Sequence, residues 1–354
     1  MVTINDLLRL LFEKNASDLH LTAGSPPVLR IDGDIVPTDL EKLSPETCQE
    51  LVYGVLTDEQ KEKFERENEL DLAFGVKGLG RIRMNVFRQR GAVAAALRNI
   101  PSRIPTFDEL GLPEVVTKNI VKLPKGLVLV TGPTGSGKST TIASIIDFVN
   151  ADRKGHIITI EDPIEYVYSH KNCIVNQREI GTDSPTFTSA LKHILRQDPD
   201  VIVIGEMRDL ETIQAALTIG ETGHLVFATL HTTDAIQSIN RIIDVFPPHQ
   251  QQQVRTQLSF VLQGVMSQML LPKAYSAGRV AAIEVLIPNA AVRNLIREEK
   301  IQQIYSTMQT AQESGMQTMN QALFNLYQKQ LVTYNEILEN SLDPKDLQRM
   351  VKGG

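Results

Sequence analysis

Three glycines and a lysine lie within seven consecutive residues of the stretch LVLVTGPTGSGKS, residues 127–139. Gly132, Gly135 and Gly137 permit positive φ and carry no Cβ, so the successive N–H groups between them can curl around an anion. Lys138 is spaced to neutralise β and γ phosphates, and the Ser139 hydroxyl to ligate Mg2+, in the pattern G-x-x-x-x-G-K-[ST] of the P-loop. The apolar run before the loop is a buried strand. After it, Ile142, Ile145, Ile146 and Val149 recur at helical spacing, so a helix begins at the cup and adds its N-terminal dipole to the site. The chemistry this implies is binding of a nucleoside triphosphate with Mg2+.

Other groups suited to phosphoryl transfer stand where further apolar runs end. HIITIEDPIEY closes on Glu161, Asp162 and Glu165, VIVIGEMRD on Glu206 and Arg208, and LVFATLHTTD on His231 and Asp234. In a P-loop fold one such strand supplies an acid to the metal's water shell and another a carboxylate that orients the attacking water. The aspartate usual on the magnesium strand is replaced by Gly205-Glu206, so Glu206 must reach the metal with a longer side chain. Glu161, one position before Asp162-Pro163, is the candidate general base, with Glu165 as the alternative. His231 follows an apolar strand and fits a γ-phosphate sensor; His224, before that strand, fits less well.

The elements that position these groups fall into two styles. Up to about residue 100, SDLHLTAG, PVLRIDGDIVP and GRIRMNVFRQRGAVAAALRNI alternate apolar and polar residues as half-buried antiparallel strands do, with a hairpin signal at Asp32-Gly33. The amino terminus spaces Leu7, Leu8, Leu11 and Phe12 along one face of a short helix. Ser44 and Thr57 are N-cap candidates for two more helices, each with an acid in its first turn. This predicts a small α+β domain over residues 1–100. Residues 101–117, with Pro101, Pro105 and Pro113, read as a linker. Beyond it KGLVLVTG, HIITIED, DVIVIGE and HLVFATLH are nearly continuous apolar runs separated by helical segments, the pattern of an α/β sheet covered on both faces. Ligands of such a sheet sit at the carboxyl ends of its strands. The core of this domain is expected over residues 118–270. A helical tail from about Pro248, interrupted by the strand-like RVAAIEVLIP, gives a C-terminal region over 271–354.

The whole chain has 354 residues, 42% hydrophobic and 22% charged, with a net charge of −6. That balance gives no electrostatic basis for binding nucleic acid. Cys48 and Cys173 are too few and too far apart for a disulfide framework or a cysteine zinc site. The amino terminus lacks the pattern of a signal peptide, and no apolar run is long enough to span a bilayer, so a cytoplasmic protein is expected.

In order and spacing GPTGSGKST, TIEDPIE, VIVIGEMRD and TGHLVFATLHT resemble the Walker A, Asp box, atypical Walker B and His box of the type II/IV secretion ATPase superfamily. The likeness extends to SDLHLTAG near the start and AVRNLIREEK near the end, the latter similar to a motif of the pilus-retraction branch. The resemblance implies a RecA-like P-loop ATPase domain preceded by a smaller PAS-like domain, with ATP between them, in a hexameric ring. It implies that Gly132, Pro133, Thr134, Gly135, Ser136, Gly137, Lys138, Ser139 and Thr140 cradle phosphates. By the same likeness Glu161 polarises water, Glu206 and Ser139 serve the magnesium, and His231 couples to the γ-phosphate. Arg83 and Arg98 of the smaller domain reach the nucleotide, with Arg81 and Arg88 as possible substitutes.

For function, the resemblance implies an ATP-hydrolysing motor for type IV pilus retraction and twitching motility. Its location would be peripheral, at the inner face of the cytoplasmic membrane, against an inner-membrane platform protein of the pilus machine. Extension ATPases of the superfamily usually carry an additional amino-terminal region and a four-cysteine zinc element. This chain begins directly at the smaller domain with two cysteines, which favours retraction and leaves an accessory retraction paralogue as an alternative. Two readings from other classes, a nucleic-acid translocase and a nucleotide-gated scaffold, meet the acidic balance on one side and the joint presence of Lys138, Glu161 and Glu206 on the other.

Overall fold

The computed structural model describes residues 2–31, 33–77, 79–100 and 103–353. The chain divides into two compact units, Met1–Arg103 with Glu165–Val167, and Ile104–Ile164 with Tyr168–Gly354.

The first unit is built on six antiparallel strands: β1 (Asp18–Leu21), β2 (Val28–Ile31), β3 (Asp34–Pro37), β4 (Glu69–Val76), β5 (Gly80–Gln89) and β6 (Ala92–Ile100), in the order β3-β2-β1-β6-β5-β4. Alternation along β5 buries Ile82, Met84 and Val86 and turns Arg83 outward. The helix Ile4–Glu13 buries Ile4, Leu7, Leu8 and Leu11, while Phe12 is only partly covered. Ser44 and Thr57 cap helices Pro45–Tyr53 and Asp58–Glu67 by accepting from Thr47 N and Gln60 N. β2 and β3 pair as a hairpin with Gly33 at φ 96°; Asp32, half of the expected turn signal, lies outside the described residues, as does Pro101 of the expected linker. Ser102 also lies outside the described residues, and the linker beyond it includes two short helices, Phe107–Leu110 and Glu114–Lys118.

The second unit carries a seven-stranded sheet in the order β13-β12-β7-β11-β10-β8-β9. Its strands are β7 (Gly126–Thr131), β8 (His156–Glu161), β9 (Ile174–Glu179), β10 (Val201–Ile204), β11 (Leu225–Leu230), β12 (Leu262–Pro272) and β13 (Arg279–Leu286). All neighbours are parallel except β12 and β13. Every residue of β7, β10 and β11 is buried, as strands covered by helices on both faces must be. The α/β class is as read, with five helices closing the chain from Ala290 onward. Two strands of this sheet, like β4 of the first unit, are absent from the sequence reading. β9 reads IVNQRE, too polar for the apolar-run criterion, and β12 follows the helix Pro248–Val261 with no breaking residue between them. The helical tail therefore does not begin at Pro248. β12 and β13 belong to the seven-stranded sheet, and a boundary at residue 270 would cut β12. Among the described residues no helix is long and apolar enough to cross a membrane.

Candidate active site

The loop after β7 takes the shape its glycines allow. Gly132, Gly135 and Gly137 have φ of 142°, 80° and 89°, values that side-chain-bearing residues rarely adopt. At Gly132 space forbids a side chain as well, since a Cβ there would lie 2.2 Å from the carbonyl oxygen of Gln268. Gly137 is the N-cap of the helix Lys138–Asp152, which has no side-chain cap, so its first N–H groups are left for an anion. Ile142, Ile145, Ile146 and Val149 bury that helix against the sheet. The Lys138 ammonium folds back onto the loop, donating to the carbonyls of Gly132 (2.8 Å) and Pro133 (3.0 Å). Thr134 and Gly135 are exposed at the crest, Ser136 is buried beneath it, and Ser139 and Thr140 are half-buried in the first helical turn.

Two strands away, Glu206 leaves β10 inside a cluster. Arg208 grips both its carboxylate oxygens, Nε to Oε1 at 2.7 Å and a terminal nitrogen to Oε2 at 2.8 Å, and His231 Nε2 lies 3.0 Å from Oε1. The Arg208 hydrogen bond, helped by His231 and opposed by burial, holds the Glu206 carboxyl below the ordinary carboxylate range. Below this cluster the Thr229 hydroxyl of β11 donates to the Gly205 carbonyl. Gly205 itself is tightly enclosed: a Cβ would stand 3.0 Å from the Ile160 oxygen and 3.2 Å from Glu161 Cα. Sequence reasoning brought Glu206 and His231 to one sheet edge but assigned Arg208 no role; its position two residues after Glu206 on an extended exit was the available signal.

Glu161 ends β8, next to β10, but its side chain is tied elsewhere. Its Oε1 accepts from the Thr159 hydroxyl at 2.6 Å and from Gln177 of β9 at 3.1 Å. With strands about 4.8 Å apart, the β10 end lies two strand spacings, about 10 Å, from the β7 end, and the β8 end about 14 Å. Glu165 is exposed. His224 sits at the opposite edge of the sheet, where its backbone carbonyl accepts from Gly126 N and its ring meets Ile219 O and the Thr222 hydroxyl. It is no part of the strand-end cluster.

A string of buried hydroxyls also joins the loops. Thr131, the last residue of β7, donates to Ser267 Oγ of β12 at 2.8 Å. Ser238, on the helix Ala235–Asp244, reaches Thr131 Oγ1 at 3.5 Å and lies 2.6 Å from the Thr232 hydroxyl, next to His231. Thr131, Ser238 and Ser267 are fully buried, and nothing in their isolated sequence positions marked them.

Ser139 and Glu206 offer hard oxygens of the kind that could serve a magnesium ion. The carboxylate of Glu206 is kept ionised, and the three hydrogen bonds it accepts leave room for one from a metal-bound water. No group of three or more His, Cys, Asp or Glu among the described residues could hold a metal by itself. This fits an ion that arrives with substrate phosphates.

In the first unit Arg83 and Arg98 do come together. Register sets Arg30, Asp18, Arg98 and Arg83 directly opposite one another across β2, β1, β6 and β5, a row of three cations and one anion. Arg98 Nε bonds Asp18 Oδ1 at 2.9 Å, and Arg30 Nε lies 3.8 Å from Oδ2. Burial works against ionisation of Asp18, but the Ser17 hydroxyl and Arg98 outweigh it and its pKa is lowered. Arg88 is not in this row. It projects from the other face of β5, paired with Glu65 and 5.4 Å above the Phe64 ring. In the AVRNLIREEK segment Val292 and Ile296 are buried. Arg293 and Arg297 turn inward as well: Arg293 donates to the Ser259 and Phe260 carbonyls that end the helix Pro248–Val261, and Arg297 stacks 5.7 Å from the Phe260 ring.

A glycine-rich anion cup and an ionised acid clamped by arginine and histidine, at one edge of a parallel sheet, define a P-loop nucleotide site. Residues 2–339 match the family model of the type II/IV secretion system proteins, and the chain belongs to that family. A Pseudomonas aeruginosa protein named as the type IV pilus retractation ATPase PilT is 48% identical over 97% of this chain and 99% of its own length. The type IV pilus ATPase PilU of the same organism is 44% identical over 98% and 91%. A crystal structure of the pilus retraction motor PilT with bound ADP superposes with a TM-score of 0.93 at 56% identity, covering 99% of this chain and all of the other.

Proposed function

We propose that this chain is the ATP-hydrolysing motor that retracts type IV pili, working as a homohexamer against an inner-membrane platform protein. The observation that carries the proposal is the full-length likeness, at 56% identity, to a retraction motor crystallised with ADP. The strand-end chemistry agrees with it. The loop Gly132–Thr140 holds the phosphates, with Lys138 exchanging its bonds to the Gly132 and Pro133 carbonyls for phosphate oxygens. Ser139 and Glu206 would hold a magnesium ion, Glu206 through the ion's water shell, and the ion would supply positive charge beside the β and γ phosphates. His231, bonded to Glu206, reports the presence of the γ-phosphate to that cluster. Glu161, once released by Gln177, accepts the proton of the attacking water. Arg83 and Arg98 supply cations to the developing phosphate charge.

The enzymatic half is tested by single-turnover hydrolysis on Glu161→Gln. A drop of about 10³-fold is expected of a lost general base, and an unchanged rate would remove Glu161 from that role. The mechanical half is tested by deletion in a piliated host. Abundant surface pili with no twitching support retraction, whereas loss of pili indicates extension. A second reading, an accessory retraction ATPase, is favoured by the 44% identity to PilU. Complementation separates the two: restored twitching in a host lacking its main retraction ATPase supports the first, and restoration only in the presence of that ATPase supports the second.

A further inference from the structure

Gln268 meets the phosphate loop at three points. On β12 it follows Ser267, which is opposite Thr131 in the β7 ladder, so it stands beside the first residue of the loop. Its carbonyl oxygen occupies the place a Gly132 side chain would need. Its side-chain Nε2 donates to the carbonyl of Ser136 at 2.6 Å, and would lie 3.2 Å from a Cβ on Gly137. The side chain is 2% exposed, and its Oε1 has no hydrogen-bond partner. A buried amide with one end unpaired carries a desolvation cost that Leu or Met at the same place would avoid. What the amide contributes is its donor.

That donor acts on a peptide plane. In a trans peptide the C=O and the following N–H point in opposite directions. Fixing the Ser136 carbonyl toward Gln268 therefore turns the Gly137 N–H away from β12, and a carbonyl that would otherwise face an incoming phosphate is held out of its way. We infer that Gln268 is a positioning residue for phosphate binding, setting the Ser136–Gly137 peptide so that the Gly137 N–H is available to the nucleotide. The inference rests on the reading of residues 132–140 as a nucleotide loop.

The test uses the full chain with ADP as the probe, measuring affinity by titration and nucleotide-free stability by thermal unfolding. Gln268→Met keeps length and packing but removes the donor. It is expected to weaken ADP binding on the order of tenfold while the nucleotide-free melting temperature stays near that of the wild type. Gln268→Glu has only acceptors when ionised and regains a donor when protonated. Its ADP affinity is expected to rise relative to wild type as the pH is lowered from about 8 to about 5.5. A role in packing alone would lower the melting temperature without that pH-dependent recovery. Wild-type affinity in Gln268→Met, or a Gln268→Glu affinity that tracks the wild type at every pH, overturns the assignment. Should the Met variant fail to fold, the pH comparison within the Glu variant decides. A wild-type chain that binds no ADP would instead remove the nucleotide reading on which the assignment rests.

Discussion

In the first unit the charged side chains of interest lie across the strands, in the row Arg30, Asp18, Arg98 and Arg83; in the second they lie beyond the strand ends, at Lys138, Glu161, Glu206 and His231. The difference follows from how each sheet is covered. An antiparallel sheet with one solvated face can carry a charge at every second residue. A parallel sheet buried on both faces has nowhere to put one except where a strand stops, and there the chain must turn out of the core. Chemistry in the second unit is therefore concentrated at one edge by the same burial that stabilises the fold. In the first unit, position on the sheet does not distinguish a catalytic arginine from a solubilising one.

The sharpest way to break this comparison is to empty the strand-end cup. Lys138→Ala is expected to lower ATP turnover on the order of 10³-fold, read as phosphate release; an active variant would show that the β7 edge is not where the charge is needed. Glu206→Gln keeps the shape of the cluster and removes its charge, and a fall of about 10²-fold in magnesium-dependent turnover is expected with ADP affinity little changed. Full activity there would return Glu206 to the status of a partner for Arg208.

Glu284 sharpens the comparison because it is a charged residue inside a strand of the covered sheet. It is 3% exposed on β13 and accepts from the backbone N–H of Ala235 at 2.7 Å and of Met319 at 3.2 Å. Burial outweighs these bonds and raises its pKa from 4.5 to about 7. Between those values the folded chain binds a proton that the unfolded chain does not, so stability falls as pH rises through this window, by about 3 kcal/mol in total. Denaturant unfolding of Glu284→Gln across the same range should lack that slope; an unchanged slope would mean that another group titrates. The smallest effect belongs to the first unit. Asp18→Ala should cost about 1–2 kcal/mol through the lost bonds to Ser17 and Arg98, and Arg98→Ala less than about 1 kcal/mol because Arg98 is exposed. A larger penalty for Arg98 would give it a structural role that its exposure denies.

The same contrast governs what could be read in advance. The apolar runs of β7, β8, β10 and β11 announce themselves, and the residues following them, Glu161, Glu206 and His231, could be found by asking where each run ended. Ser44 and Thr57 were legible as caps because a hydroxyl before an acidic turn has few other uses. β12 was not legible, because both its faces are buried and carry polar residues, Ser267 and Gln268, whose partners, Thr131 and Ser136, are more than 130 positions away. Nor was the tether of Glu161 to Gln177, since β9 is an edge strand of mixed polarity. Pairings that depend on tertiary register leave no local trace.

The vacancy at residue 205 explains why its neighbour is a glutamate. β8 and β10 lie so close there that a methyl group would stand 3.0 Å from the Ile160 oxygen and 3.2 Å from Glu161 Cα, and the strand that carries Glu161 would have to give by a few tenths of an ångström. An aspartate at 205 would press its Cβ on that backbone. The chain instead moves the acid one step outward and lengthens it by a methylene, so that any shift of one carboxylate's mainchain is delivered directly to the other's.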